Sequence, residues 1–262
     1  MKIKLPILVV STVAVAVALI SCGNKQATNE TPVANAARKS VDATTAGSIT
    51  GTIKLDGAPP KMKIINMAAE PTCAKDHARQ PAMTEDVVPG ENGTLQNVVV
   101  YLQGDFSQYA FTTPTAPVTI DQKGCQYQPH VLALMTNQPL QVINSDPLTH
   151  NIHPVPKDNR EWNQSQPPGA APIDQSFARP EVAIPVKCNV HPWMKAYIAV
   201  FANPYFQVTG KDGSFDIKNV PPGTYTVTAW HELYGTREQN VIIGPKESKN
   251  VTLTFKATVA GS

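Results

Sequence analysis

The stretch Lys187–Ala196 reads Lys-Cys-Asn-Val-His-Pro-Trp-Met-Lys-Ala and spaces Cys188, His191 and Met194 at equal steps. A thiolate, an imidazole and a thioether can converge on one point only if the segment between them is held at both ends. An apolar run, Ala196–Phe201, follows this segment; a second, Leu140–Ile143, leads into Asn144-Ser-Asp-Pro-Leu-Thr-His150-Asn151-Ile152-His153. Loops at one end of a β-sandwich would bring the two segments together. A soft thiolate with an imidazole and a thioether suits copper better than zinc, magnesium or calcium. Two histidines and a cysteine in a plane, with a weak axial methionine, are the donors of an electron-transfer copper site. Taken singly, a cysteine is ordinarily a small buried hydrophobe and a histidine is structurally satisfied, so the joint spacing carries the reading.

Cys-x-x-His-x-x-Met downstream of His-Asn-Ile resembles the copper loop of the cupredoxins, amicyanin and plastocyanin-like blue copper proteins, over roughly residues 118–201. The residues before the cysteine, Ile184-Pro185-Val186-Lys187, lack the aromatic and glycine usual in that family. The resemblance implies a Greek-key β-sandwich and one mononuclear type 1 copper held by His150, Cys188, His191 and Met194. His150 is preferred to His153 because the first histidine of the His-Asn pair is the family's ligand. Asn151 would tie the two ligand segments by hydrogen bonds. The implied function is carriage of single electrons between transient redox-protein partners, without catalysis. A partner would dock on an apolar surface at Pro192 and Trp193.

The rest of the chain reads as all-β. Its 262 residues allow one or two domains, and 24 prolines and 15 glycines fit many turns. Ser48–Leu55 alternates apolar and polar residues up to an Asp-Gly turn, and Asn97–Leu102 is a more buried strand. Residues 206–230 run strand, Asp-Gly turn, strand, Pro-Pro-Gly turn, strand. That meander resembles the transthyretin-like, carboxypeptidase-regulatory-like β-sandwich, whose first strands would be Ile49–Leu55 and Val98–Leu102. The expected organisation is a cupredoxin at 118–203 inserted into a regulatory-like sandwich with parts 48–104 and 204–256; three successive β units are the rival.

Residues 1–21 form a processing segment. Lys2 and Lys4 precede an apolar core, Ile7–Ile20, too short for a good membrane span. It ends in Leu-Ile-Ser-Cys22, which resembles a bacterial lipoprotein cleavage box, with Cys22 as the lipidated residue. Gly23 after it favours the outer membrane, on the periplasmic side. Residues 22–47 are small and polar, a tether with a reach of about 25–30 Å. Removing residues 1–21 takes away two lysines and the formal charge of +2, which argues against nucleic acid as a partner. With Cys22 on lipid and Cys188 on metal, as these resemblances imply, Cys73 and Cys125 remain as the preferred disulfide of an exported protein. Bridges from Cys188 to either are the alternatives, and they would abolish the copper site.

Met62, Met67 and Met83 read as gap-filling residues, and His130, His153 and His231 as structural histidines that could otherwise make a second metal site. Two other functions stay open: a periplasmic copper carrier or sensor, and an adhesive or scaffolding lipoprotein with no redox role.

Overall fold

The computed structural model describes residues 37–257. The leader, Cys22 and the first part of the tether lie outside the described residues. In chain order, β1 (Gly47–Asp56) gives way to a long excursion, residues 57–98, which carries the short helix α1 (Pro71–Asp76) and returns as β2 (Val99–Gln103). Then come β3 (Val118–Gln122), β4 (Tyr127–Gln128), β5 (Val131–Met135), β6 (Leu140–Asn144), β7 (His150–Pro154), β8 (Gln164–Gln166), β9 (Ile173–Gln175), β10 (Glu181–Lys187) and β11 (Lys195–Phe201). The chain closes with β12 (Phe206–Val208), β13 (Ser214–Val220), β14 (Gly223–His231), β15 (Gly235–Ile243) and β16 (Ser248–Lys256).

The all-β reading holds. Four sheets form, with strand orders β13-β1-β16, β12-β2-β14-β15, β5-β11-β10-β7-β8 and β4-β3-β6-β9. The first two enclose one core, which includes Ile49, Ile53, Val100, Phe215, Val227 and Phe255. The last two enclose another, which includes Ile120, Leu134, Val142, Ile152, Ile184 and Ile198. Strands β2 and β12 are hydrogen-bonded neighbours, with Phe206 opposite Tyr101 and Val208 opposite Val99. The chain therefore leaves one sandwich after β2, builds all of β3–β11, and returns to the same sheet.

Side-chain alternation explains how the sandwiches join. Successive residues of a strand point to opposite faces, so a strand covered on both faces reads as a continuous apolar run. Strand β11 is such a run. Its Ala196, Ile198 and Val200 enter the β3–β11 core, while Tyr197, Ala199 and Phe201 meet Val99, Tyr101, Phe206 and Trp230 of the other sandwich. Tyr101 and Phe201 lie 5.0 Å apart by ring centroid, and Phe206 stacks on Phe201 at 4.7 Å. Strand β2 does the same in reverse, with Val100 and Leu102 inward and Val99 and Tyr101 toward β11.

Two departures from the sequence reading matter. Residues from Ala37 to Gly47 are no free tether. Lys39 exchanges backbone hydrogen bonds with Gln108 and Ala110, its ammonium lies over the Tyr109 ring, and Lys246 donates to the Thr45 carbonyl. Asp42 builds a turn by accepting from the Thr44 amide and hydroxyl. Short polar residues with specific turn partners order without a core of their own. Second, His150 and Asn151 stand at the start of β7 rather than on a loop, because their backbone pairs with Gln166 and Ser165 of β8.

The 57–98 excursion is a cap. Glu70 caps α1 by accepting from the Thr72 amide, and Pro71 follows in the first turn. Met67, Cys73 and Ala82 pack with Cys125, and Leu148 and Trp193 of the β3–β11 sandwich close the cluster. Cys73 and Cys125 are joined by a disulfide, as expected.

Candidate metal centre

The ligand segment folds into one tight turn between β10 and β11. The Cys188 amide donates to the Met194 carbonyl at 3.2 Å, and the Met194 amide donates to the His191 carbonyl at 2.9 Å. The His191 amide points at the Cys188 sulfur, 3.4 Å away. Asn151, from β7, reaches across: its Oδ1 accepts from the Asn189 amide at 2.7 Å and from the Val190 amide at 3.3 Å. The Cys188 Sγ lies 3.4 Å from the same oxygen, and Asn151 Nδ2 donates to Asn163. One side chain thus fixes the spacing between β7 and the ligand turn.

His150, Cys188 and His191 come together with their ligand atoms all within 4.8 Å of one another. The Nδ1 atoms of His150 and His191 face each other at 2.9 Å, and Cys188 Sγ is 3.9 Å from His191 Nδ1. All three are buried, as is Met194, in the cluster that contains Cys188. Cys188 is the free cysteine among the described residues.

The charge balance of this pocket follows from its partners. Burial by itself lowers the pKa of His150, but its hydrogen bond to Asp146 and the neighbouring Cys188 override that and raise it to about 9. Burial raises the Cys188 thiol, yet hydrogen bonds from His150 and from the backbone at Asn151, His191 and Val190 bring it below its ordinary value. His191 is lowered, first by burial and then by the charge on His150. The pocket favours a thiolate and one positive charge between two imidazoles. Two imidazole nitrogens 2.9 Å apart need a shared proton, and a metal cation answers the same requirement. The donor set therefore fits copper, with Cys188, His150 and His191 as the residues to hold it and the Met194 thioether buried alongside.

Comparison with known proteins adds the following. A family model for domain II of polysaccharide lyase family 4 matches residues 182–251. No curated protein matches the chain. Similar solved structures are cupredoxins or contain copper. A copper-containing nitrite reductase from Thermus scotoductus is 20% identical over 33% of this chain and 22% of its own, with a TM-score of 0.31. Amicyanin in a Cu(I) variant structure is 19% identical over 32% of this chain and 80% of its own, with a TM-score of 0.28. A purple cupredoxin from Nitrosopumilus maritimus is 18% identical over 31% of this chain and 97% of its own, with a TM-score of 0.27. This chain spans about a fifth of the nitrite reductase.

Two carboxylates beside the pocket carried no role in the sequence reading. Asp146 sits in the Asn144–Thr149 turn. Its Oδ1 accepts from the Gly124 amide and its Oδ2 from the Cys125 amide, both at 2.7 Å, and Oδ2 lies 2.8 Å from His150 Nε2. Burial opposes its ionisation, but these hydrogen bonds hold its carboxyl below the usual range. A carboxylate on the outer nitrogen fixes the ring and points Nδ1 into the pocket. The signal was present, since Asp146 is four residues before His150. Glu70, on the cap, has its Oε2 3.9 Å from His191 Nε2; nothing local announced it.

The remaining residues sort plainly. Trp193 is half-buried, packs on the cap cluster and donates its indole N–H to the Cys125 carbonyl at 3.0 Å, while Pro192 is exposed. Beside His191, Pro192 and Val190 are exposed and Trp193 is partly exposed. His153 lies between Asn189 Oδ1 and Glu161. His130 bridges the Lys195 carbonyl and Glu232. His231 accepts from the Leu233 and Tyr234 amides through Nδ1. Met67 fills the cap cluster and Met62 is exposed.

Proposed function

We propose that this chain is an exported type 1 copper protein that passes single electrons between transient protein partners. One observation carries the reading: a buried cysteine and two buried histidines converge from two chain segments, with a buried methionine in the same cluster as the cysteine. Copper bound there would supply a one-electron Cu(II)/Cu(I) couple. The chain's own residues do the rest. Hydrogen bonds from its neighbours ease Cys188 toward the thiolate, His150 is oriented by Asp146, and Asn151 keeps the ligand turn at a fixed distance from β7. A site so braced moves little when its charge changes, which favours fast electron transfer.

The same reading takes Cys22 as a lipid attachment point, holding the protein at the cell envelope on the periplasmic side. It assigns no catalytic residue and no nucleic-acid partner. The regulatory-like sandwich is the platform on which the copper sandwich is inserted.

The test is an absorption spectrum of the chain from Ala37 onward after addition of Cu(II), beside a Cys188→Ala control. An intense blue thiolate-to-copper band, bleached by ascorbate and absent from the control, supports the proposal. Tight Cu(I) binding without that band points instead to a copper carrier. No copper binding of either kind overturns both.

A further inference from the structure

The metal centre stands at the end of a sandwich, yet it is shut away from water: His150, Cys188, His191 and Met194 are 0, 3, 3 and 1% exposed. Part of its cover is a flap within the cap. The legs of the flap pair with each other, the Ile65 amide donating to the Ala82 carbonyl at 2.9 Å and the Thr84 amide to the Lys63 carbonyl at 2.8 Å. Residues 66–81, with α1 among them, lie beyond that pairing. Met67 and Cys73 of the flap form a cluster with Ala82 and Cys125, and two side chains of the β3–β11 sandwich pack against it. One is Leu148, two residues before His150; the other is Trp193, two residues after His191. The flap thus straddles both ligand-bearing segments.

Few bonds hold the flap down. Among the described residues, the backbone hydrogen bonds of residues 66–81 all stay inside the flap. Its ties to the β3–β11 sandwich are the Cys73–Cys125 disulfide and a 2.7 Å contact between His77 Nε2 and the carbonyl of Gly124, the next residue along. A segment bonded chiefly to itself, over a small packed cluster, opens at low cost unless it is pinned. We propose that the flap is a bolted lid over the metal centre, with the disulfide as its bolt. While Cys73 and Cys125 are joined, the centre opens only when the whole sandwich unfolds. Without the bridge, the flap swings on the pairing of residues 63–65 with 82–84 and opens the centre alone. The consequence for copper rests on the function proposed above, but the lid does not. A bolted lid slows exchange of a bound ion, which suits an ion kept through many electron transfers better than one handed on.

The probe is the Cys188 thiol, the free cysteine among the described residues. The chain from Ala37 onward is compared, metal-free, with its Cys73→Ser/Cys125→Ser form, both in sucrose to keep the variant folded. The rate at which iodoacetamide alkylates Cys188 is followed against denaturant concentration. Hydrogen exchange of the β11 amides, measured alongside, reports opening of the sandwich itself. In wild type both probes should give one opening equilibrium with the full denaturant dependence. In the variant Cys188 should react about 100-fold faster than the β11 amides predict, with little denaturant dependence. If the variant's Cys188 still tracks β11, the disulfide bolts nothing and the proposal is overturned. Wild type alone can also overturn it: alkylation that runs well ahead of β11 exchange means that the centre opens with the bolt closed. Loaded with Cu(I), wild type should release metal to excess chelator at least about ten-fold more slowly than the variant, and equal rates overturn the retention. If wild type binds no copper, the function proposed above fails, and the thiol comparison still decides the lid.

Discussion

Trp193 donates its indole N–H to the carbonyl of Cys125, 3.0 Å away, so the ligand turn is hooked onto one half of the disulfide. The cap, the β3–β4 turn and the ligand turn therefore meet at a single point. Replacing Cys73 and Cys125 together by serine removes a cross-link spanning 52 residues. Chain-entropy reasoning puts the loss near 4 kcal/mol. Guanidinium unfolding of the double variant, beside wild type with and without reductant, measures it. Reduced wild type should match the variant.

Asp146 acts through His150. Asp146→Ala removes the acceptor on Nε2 and leaves the Gly124 and Cys125 amides without their partner. If the site binds copper as proposed, its affinity should fall about 10- to 100-fold, read by competition against a chelator of known affinity. Unchanged affinity would mean that β7 alone orients the ring.

Lys195 follows Met194 directly and binds Asp86 of the cap and Glu232 of the outer sandwich, the latter at 3.1 Å. The Glu232 side chain is 7% exposed and that of Lys195 41%. Lys195→Met leaves a buried carboxylate with only His130 to answer it. Because the lysine is half in water, the expected loss is about 2 kcal/mol, below the range for a wholly buried pair. Denaturant unfolding checks the number, and Asp86→Asn, at the exposed end of the network, should cost much less.

His231 makes stability depend on pH. Burial lowers its pKa from 6.5 to about 4, the neighbouring Glu232 opposing, and its Nδ1 must stay unprotonated to accept from two amides. The folded state binds this proton less readily than the unfolded chain. The stabilisation is complete above 6.5 and is lost as pH falls toward 4, about 3 kcal/mol in all. His231→Gln keeps an acceptor without the titration and should flatten the stability curve across that window, measured by unfolding at a series of pH values. In the metal-free protein His150 works in the opposite sense, contributing stability below 6.5 that disappears as pH rises toward 9.

What the sequence disclosed was whatever lay contiguous in it. Cys188, His191 and Met194 are neighbours in one turn, and the unbroken apolar run Ala196–Phe201 marks a strand covered on both faces. The pairing of Cys73 with Cys125 was expected from reading the chain as exported, with Cys22 and Cys188 assigned elsewhere. The approach of Glu70 to within 3.9 Å of His191 was illegible, because it depends on where a long connection lands after the second sandwich has formed. Asp146 was in view but silent, since an aspartate before a proline is equally a turn former. The order from Ala37 to Gly47 escaped notice because it comes from turn and backbone partners distant in sequence, not from any pattern of its own.

Strand β11 serves two masters. One face completes the interior beneath the metal centre, and the other is the seam along which the two sandwiches are joined. A fragment cut to residues 118–203 would turn Tyr197, Ala199, Phe201 and Val131 out to water as one greasy stripe. The β3–β11 sandwich is thus no detachable cassette: evolution could lengthen its loops or retune its buried turn, but moving it to another host would require a new surface ready to receive that stripe.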